Sequence, residues 1–165
     1  MNKERYLYNK EWFENHQKSL KVLKFLYKTL PLLMVFALPL LVLFKGLRGI
    51  DHDFFRMIYI PFFVLVVITI LRKIVKRQRP YEKYNTEPVI SRDGNGDSFP
   101  SRHTASAFII AMAAIPVSTL VAVALLIVSL LIGISRILSG VHYISDVVAG
   151  AVVSILTGVV FFIIL

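Results

Sequence analysis

Residues 104–135, TASAFIIAMAAIPVSTLVAVALLIVSLLIGIS, form a run of 32 residues without a charge. As one helix it would reach roughly 48 Å at about 1.5 Å per residue, far beyond a hydrocarbon core of about 30 Å. Pro116, followed by Val117, Ser118 and Thr119, offers a place to break it into two membrane helices. Working outward, residues 29–44 form another apolar stretch, flanked by Lys28 and Lys45, whose side chains can snorkel to the interfaces. Residues 57–71, which Phe54 and Phe55 can lengthen, and residues 147–165 complete the set. The expected fold is all-α, an integral membrane bundle of about five transmembrane helices.

The composition agrees. Of 165 residues, 56% are hydrophobic and 18% charged, with a mean hydropathy of +0.69. A soluble domain has about 45–50% apolar and about 25% charged residues, so an ordinary globule and a disordered chain are both excluded. There is no cysteine, which removes disulfides, thiolate nucleophiles and Cys-ligated metals. The net charge of +9 suits anionic lipid headgroups or a phosphate-bearing substrate better than nucleic acid.

Segment 1–28 carries Glu4, Glu11 and Glu14 and has no long apolar core, unlike a secretory signal. Tyr6, Tyr8, Trp12 and Phe13 lie among Lys3, Arg5 and Lys10. That pattern predicts an amphipathic helix at the membrane interface, or else a solvated lead-in. The organisation is then an interfacial segment, 1–28, and a transmembrane domain, 29–165. Gly150, Ser154 and Gly158 put small residues every fourth position on the last span. Such a stripe serves close packing within the monomer or, alternatively, a homodimer.

The polar residues near the spans fall into three groups. The first runs from Arg72 through Lys73, Lys76, Arg77 and Arg79 to Pro80. If the helix continues, Arg72, Lys76 and Arg79 share one face until Pro80 ends it. The second is Ser98, Phe99, Pro100, Ser101, Arg102 and His103; the third holds Ser135, Arg136, His142 and Asp146. Each has a plain reading as a headgroup anchor or a helix-start pair. Five spans, however, bring all three to the same side of the membrane.

Together they suit phosphoryl transfer. Planar Arg forks bind the equatorial oxygens of a transferring phosphoryl group. Ser101 offers a hydroxyl and backbone N–H groups at a helix N-terminus. His142 can attack phosphorus if Asp146 holds its other ring nitrogen, and His103 can protonate the leaving oxygen. A metal would be repelled by the surrounding Arg and Lys, and no carboxylate cluster accompanies the histidines. Neither a metal nor another cofactor is therefore expected. Residues 93–97 begin like a calcium loop but fail downstream, where Ser98 and Thr104 stand in place of Gly and Glu. They read as a flexible Gly-rich turn.

At these residues the sequence resembles the type 2 phosphatidic acid phosphatase superfamily, which also includes the vanadium haloperoxidases. Its signature is KxxxxxxRP, PSGH and SRxxxxxHxxxD. Here six residues separate Arg72 from Arg79 and Pro80, and Pro100, Ser101, Arg102 and His103 follow. The third part, Ser135 and Arg136, then His142, then Asp146, matches in full. The likeness covers residues from about 54 to 165. It implies metal-independent hydrolysis through a phosphohistidine, with His142 as nucleophile, Asp146 its partner and His103 the acid. Arg72, Arg79, Ser101 and Arg136, with the backbone N–H of Arg102, would hold the phosphate. Arg72 replaces the usual Lys and retains the charge; Arg102 replaces Gly and adds a cation beside the acid.

The resemblance implies a lipid phosphate substrate: an isoprenyl diphosphate such as undecaprenyl diphosphate, phosphatidylglycerophosphate or phosphatidic acid. A non-catalytic lipid-binding scaffold or transporter is the alternative. No nucleic acid partner is expected. The protein is placed in the cell membrane with its site on the extracytoplasmic face, as the family implies. The charge count opposes that orientation. Sixteen Lys and Arg lie on the site side and three, Lys45, Arg48 and Arg56, on the other. The positive-inside rule thus points the site toward the cytoplasm.

Overall fold

The computed structural model describes residues 3–91 and 96–165. The Gly-rich turn read at 93–97 lies largely outside them. Helix α1 spans Lys3–Asn15 and α2 Gln17–Arg48. Helix α3, His52–Val75, is capped by Asp51, whose carboxylate accepts the Phe54 N–H at 3.0 Å. A single turn, α4, Pro80–Lys83, precedes α5, Arg102–Ala113. Then come α6, Thr119–Leu138, and α7, Ile144–Val159, which continues as a π-helical segment, Val160–Ile164.

Among the described residues, four stretches are long and apolar enough to cross a membrane: Gln17–Arg48, His52–Lys83, Thr119–Leu138 and Ile144–Ile164. Helix α5 is not among them, although the uncharged run 104–135 predicts two crossing helices. Its 12 residues extend roughly 18 Å, and from Thr104 to Ala113 nearly every side chain is buried. It packs against α2, α3, α6 and α7 as the core of the bundle. Alanines at 105, 107, 111, 113 and 114 are all buried there, and such small side chains let neighbouring backbones approach closely. The expected break falls in the turn between α5 and α6, which contains Pro116, and Ser118 caps α6 by accepting the Val121 N–H.

The small-residue stripe on α7 faces α5 within the same chain. A Cβ on Gly150 would lie 2.8 Å from the Ser101 carbonyl oxygen, and one on Gly158 would lie 2.5 Å from the Met112 Cβ. Between them Ser154 donates to the Ala105 carbonyl at 2.8 Å. All three are buried, so the homodimer alternative through Gly150, Ser154 and Gly158 loses its surface to α5.

Two further details depart from the sequence reading. Helix α3 stops at Val75, because Lys76 takes a left-handed conformation (φ 47°). Arg79 is therefore not on the same helical face as Arg72. Pro80 instead holds Arg79 in an extended conformation (φ −75°, ψ 158°) at the start of α4. Segment 1–28 is likewise not one unit, since α2 begins at Gln17. Helix α1 folds back over the loops at the site end. Tyr6 is fully buried and donates to the Glu87 carbonyl at 3.3 Å; Asn9 donates to the Leu138 carbonyl at 2.9 Å. Gly140 (φ +77°) allows this contact, because a Cβ there would fall 2.7 Å from the Tyr6 ring.

Candidate active site

The three polar groups converge. Arg72 comes from the last turn of α3, Arg79 from the start of α4, Arg102 and His103 from the first turn of α5, and Arg136 from the last turn of α6. His142 lies in the short loop before α7. These six residues, with Tyr27 and Val141, line one small cavity.

Backbone carbonyls fix the guanidinium groups. Arg72 donates to the Pro100 carbonyl at 2.8 Å, to Ser98 at 3.3 Å, and also to Asp97. Arg79 donates through Nε to Gly96 at 2.7 Å. Its Nη1 is buried without a hydrogen-bond partner among the described residues, a donor aimed where an anion's oxygen could sit. Arg136 bonds the Tyr27 carbonyl at 3.0 Å and lies 3.9 Å over that residue's ring. Arg72, Arg79 and Arg136 are all buried. Three cations held together in a dry site repel one another, and an anion of high charge would relieve that repulsion.

His142 is 3% exposed, and its Nδ1 lies 3.4 Å from Asp146 Oδ2 and 3.4 Å from Ser98 Oγ. Nε2 is then the ring atom available to the cavity. Burial, with help from Arg72 and Arg136, holds the His142 imidazole below its ordinary pKa, while Asp146 pulls the other way. The neutral form is thus extended to lower pH. Asp146 is fully buried; Oδ2 accepts the Tyr143 N–H at 2.9 Å and the Ser98 hydroxyl, and Oδ1 accepts from Arg77 at 2.8 Å.

Ser101 is placed less directly. It caps α5, is fully buried, and accepts from the Thr104 hydroxyl at 2.9 Å. Its N–H donates to the Asp146 carbonyl at 2.9 Å, and it is not among the cavity-lining side chains. His103 and Arg102 are exposed at the cavity mouth. Sequence reasoning assigned no role to Arg77, Ser98 or Tyr27. Arg77 sits in a run of like charges that gives no sign of which member turns inward. Among the described residues no three His, Asp or Glu side chains converge as metal ligands would.

A second cavity of about 590 Å³ opens from the first. Tyr27, Arg102, His103 and Arg136 line both. Beyond them the wall is largely apolar: Pro31, Leu32, Met34, Val35, Leu65, Ala107, Ile110 and Ile132. A phosphate pocket with a greasy annex fits an amphiphile with an anionic head.

The family model of the PAP2 superfamily matches residues 53–165. Solved structures share the fold. A transmembrane PAP2-type phosphatidylglycerolphosphate phosphatase from Bacillus subtilis has a TM-score of 0.60 at 19% identity, covering 94% of this chain and 90% of its own. Aquifex aeolicus LpxE has a TM-score of 0.60 at 23% identity, covering 86% of this chain and 92% of its own. No curated protein sequence matches the chain.

Proposed function

Because the chain belongs to the PAP2 superfamily, we propose that it is a membrane-embedded lipid phosphatase working through a phosphohistidine on His142, without a metal. The observation that carries this reading is the joining of two cavities, one lined by Arg72, Arg79, Arg136, His103 and His142, the other apolar. Nε2 of His142 attacks phosphorus as the P–O bond to the lipid breaks, and His103 gives its proton to the departing oxygen. The arginines take the charge that develops on the equatorial oxygens. His103, now neutral, accepts a proton from water as that water attacks phosphorus and displaces His142 Nε2; phosphate leaves and His142 is restored. Arg102 acts at the phosphate from the start of α5, while Ser101, whose hydroxyl meets Thr104 and whose N–H is held by the Asp146 carbonyl, shapes that turn. The substrates are undecaprenyl diphosphate, phosphatidylglycerophosphate or phosphatidic acid.

The test is phosphate release by purified protein in detergent from a panel of those three lipids. At least one is expected to be hydrolysed, unaffected by EDTA and inhibited by orthovanadate, whose trigonal-bipyramidal form resembles the transition state. Activity lost in EDTA and restored by magnesium rejects the mechanism. No release from any lipid supports a non-catalytic scaffold instead.

The site is placed at the extracytoplasmic face, the orientation the resemblance implies, against the charge count. Single cysteines replacing Glu87, on the site side, and Ile50, at the far end, test this in intact cells with a membrane-impermeant thiol reagent. Both positions are exposed, and the native chain has no cysteine to interfere. Labelling at 87 alone is expected; labelling at 50 alone turns the site inward.

A further inference from the structure

Asp146 faces two ways. Its Oδ2 side meets His142, Ser98 and the Tyr143 N–H. On the opposite side Arg77 Nη1 lies 2.8 Å from Oδ1 and also donates to the Ser145 hydroxyl at 2.7 Å. The Arg77 guanidinium stacks 4.0 Å over the Tyr143 ring, and its carbonyl accepts the Ser98 N–H at 2.7 Å. One residue thus ties the chain after α3 to the segment entering α5 and to the start of α7. The Asp146 side chain has no exposed surface, whereas that of Arg77 is 37% exposed. A buried carboxylate needs a compensating charge, and His142, which must be neutral to attack, cannot supply it.

We propose that Arg77 is a positioning residue of the phosphatase, fixing Asp146 and limiting how much of its charge reaches His142. The inference rests on the catalytic reading above. Arg77 does not line the cavity that holds the arginines and histidines, so it acts through Asp146 and not on phosphate. The charged and titratable groups facing His142 are otherwise basic: Arg72 from α3, Arg79 from α4, Arg102 and His103 from α5, and Arg136 from α6, with Tyr27 of α2 at the edge. Asp146 is the single carboxylate in contact with the His142 ring among the described residues. Whatever sets the effective charge of Asp146 therefore sets the balance at the nucleophile. With Arg77 in place, part of that charge is cancelled and the imidazole sheds its proton more readily. Without it, Asp146 acts on His142 in full, and the ring keeps its proton to higher pH.

The experiment compares pH profiles of kcat/KM for wild type, Arg77→Gln and Arg77→Met in detergent; the methionine keeps an aliphatic stem over Tyr143. In both variants the acidic limb should move up by about half a pH unit or more. The loss in kcat should be about 10–100-fold, the scale seen when an outer partner of an oriented histidine is removed, with KM little changed. Arg77→Lys should restore much of kcat. In an Asp146→Asn background, Arg77→Gln should no longer move the limb. An unmoved acidic limb in folded, active variants overturns the proposal, because a merely structural role changes the amount of active protein and not its titration. Failure of both charge-removing variants to fold overturns it too. A wild-type protein inactive on every lipid instead rejects the phosphatase reading on which the inference rests.

Discussion

His142→Ala is expected to abolish phosphate release from every lipid substrate and to leave a folded protein. In the proposed mechanism the loss is complete, because the His142 imidazole is the group that bonds to phosphorus. Arginines in the cavity stay protonated, and His103 stands at the mouth on α5. The fold should survive. With His142 truncated, Asp146 keeps Arg77, the Ser98 hydroxyl and the Tyr143 N–H, so no buried carboxylate is stranded. The check is phosphate release beside size-exclusion behaviour and far-UV circular dichroism in the same detergent. Turnover above background by the folded variant rejects His142 as the nucleophile. In the wild type, the acidic limb of kcat/KM should lie below the ordinary imidazole range, since burial favours neutral His142. Because the general acid must enter with its proton, activity should also fall at high pH, giving a bell.

His103→Ala should give the second-largest effect and a different signature. General acid catalysis contributes about 10²–10⁴-fold, and a lipid alcohol or lipid phosphate leaves poorly without a proton. p-Nitrophenolate leaves without that help. The variant should therefore lose about 10²-fold or more on lipid substrate and much less on p-nitrophenyl phosphate, whereas His142→Ala loses both. Equal losses by His103→Ala on the two substrates would remove its assignment as the acid. The exposed position of His103, between the polar and apolar cavities, is where the bond between headgroup and lipid would lie.

Much of the site was legible before any fold was known. The spacings Arg72 to Arg79, Ser101 to His103 and Arg136 to His142 to Asp146 carry the family signature. Each lies near the end of an apolar stretch, so counting spans brings them to one side. What the counting missed is how each residue arrives. Arg79 does not follow Arg72 along a helix face; it returns to the cavity through the left-handed turn at Lys76 and the extended conformation imposed by Pro80. Ser101, read as a phosphate ligand, is turned toward Thr104 and Asp146, with its N–H on the Asp146 carbonyl.

By itself the sequence determined the membrane class, the helical architecture and the family signature. Hydropathy and short spacings are local properties: a run without charges must leave water, and residues a few positions apart on a helix share its face. Tertiary structure alone decided which surfaces meet. Helix α5, too short to stand out by length, became the core because its alanines admit close neighbours. The stripe Gly150, Ser154 and Gly158 was claimed by α5 and not by a second chain. Tyr6 was buried against Gly140, and Arg77 was set on Asp146, 69 residues away. Pairings at that separation depend on how whole helices pack, and one arginine in a basic run has the same local chemistry as the next until packing gives it a carboxylate to neutralise.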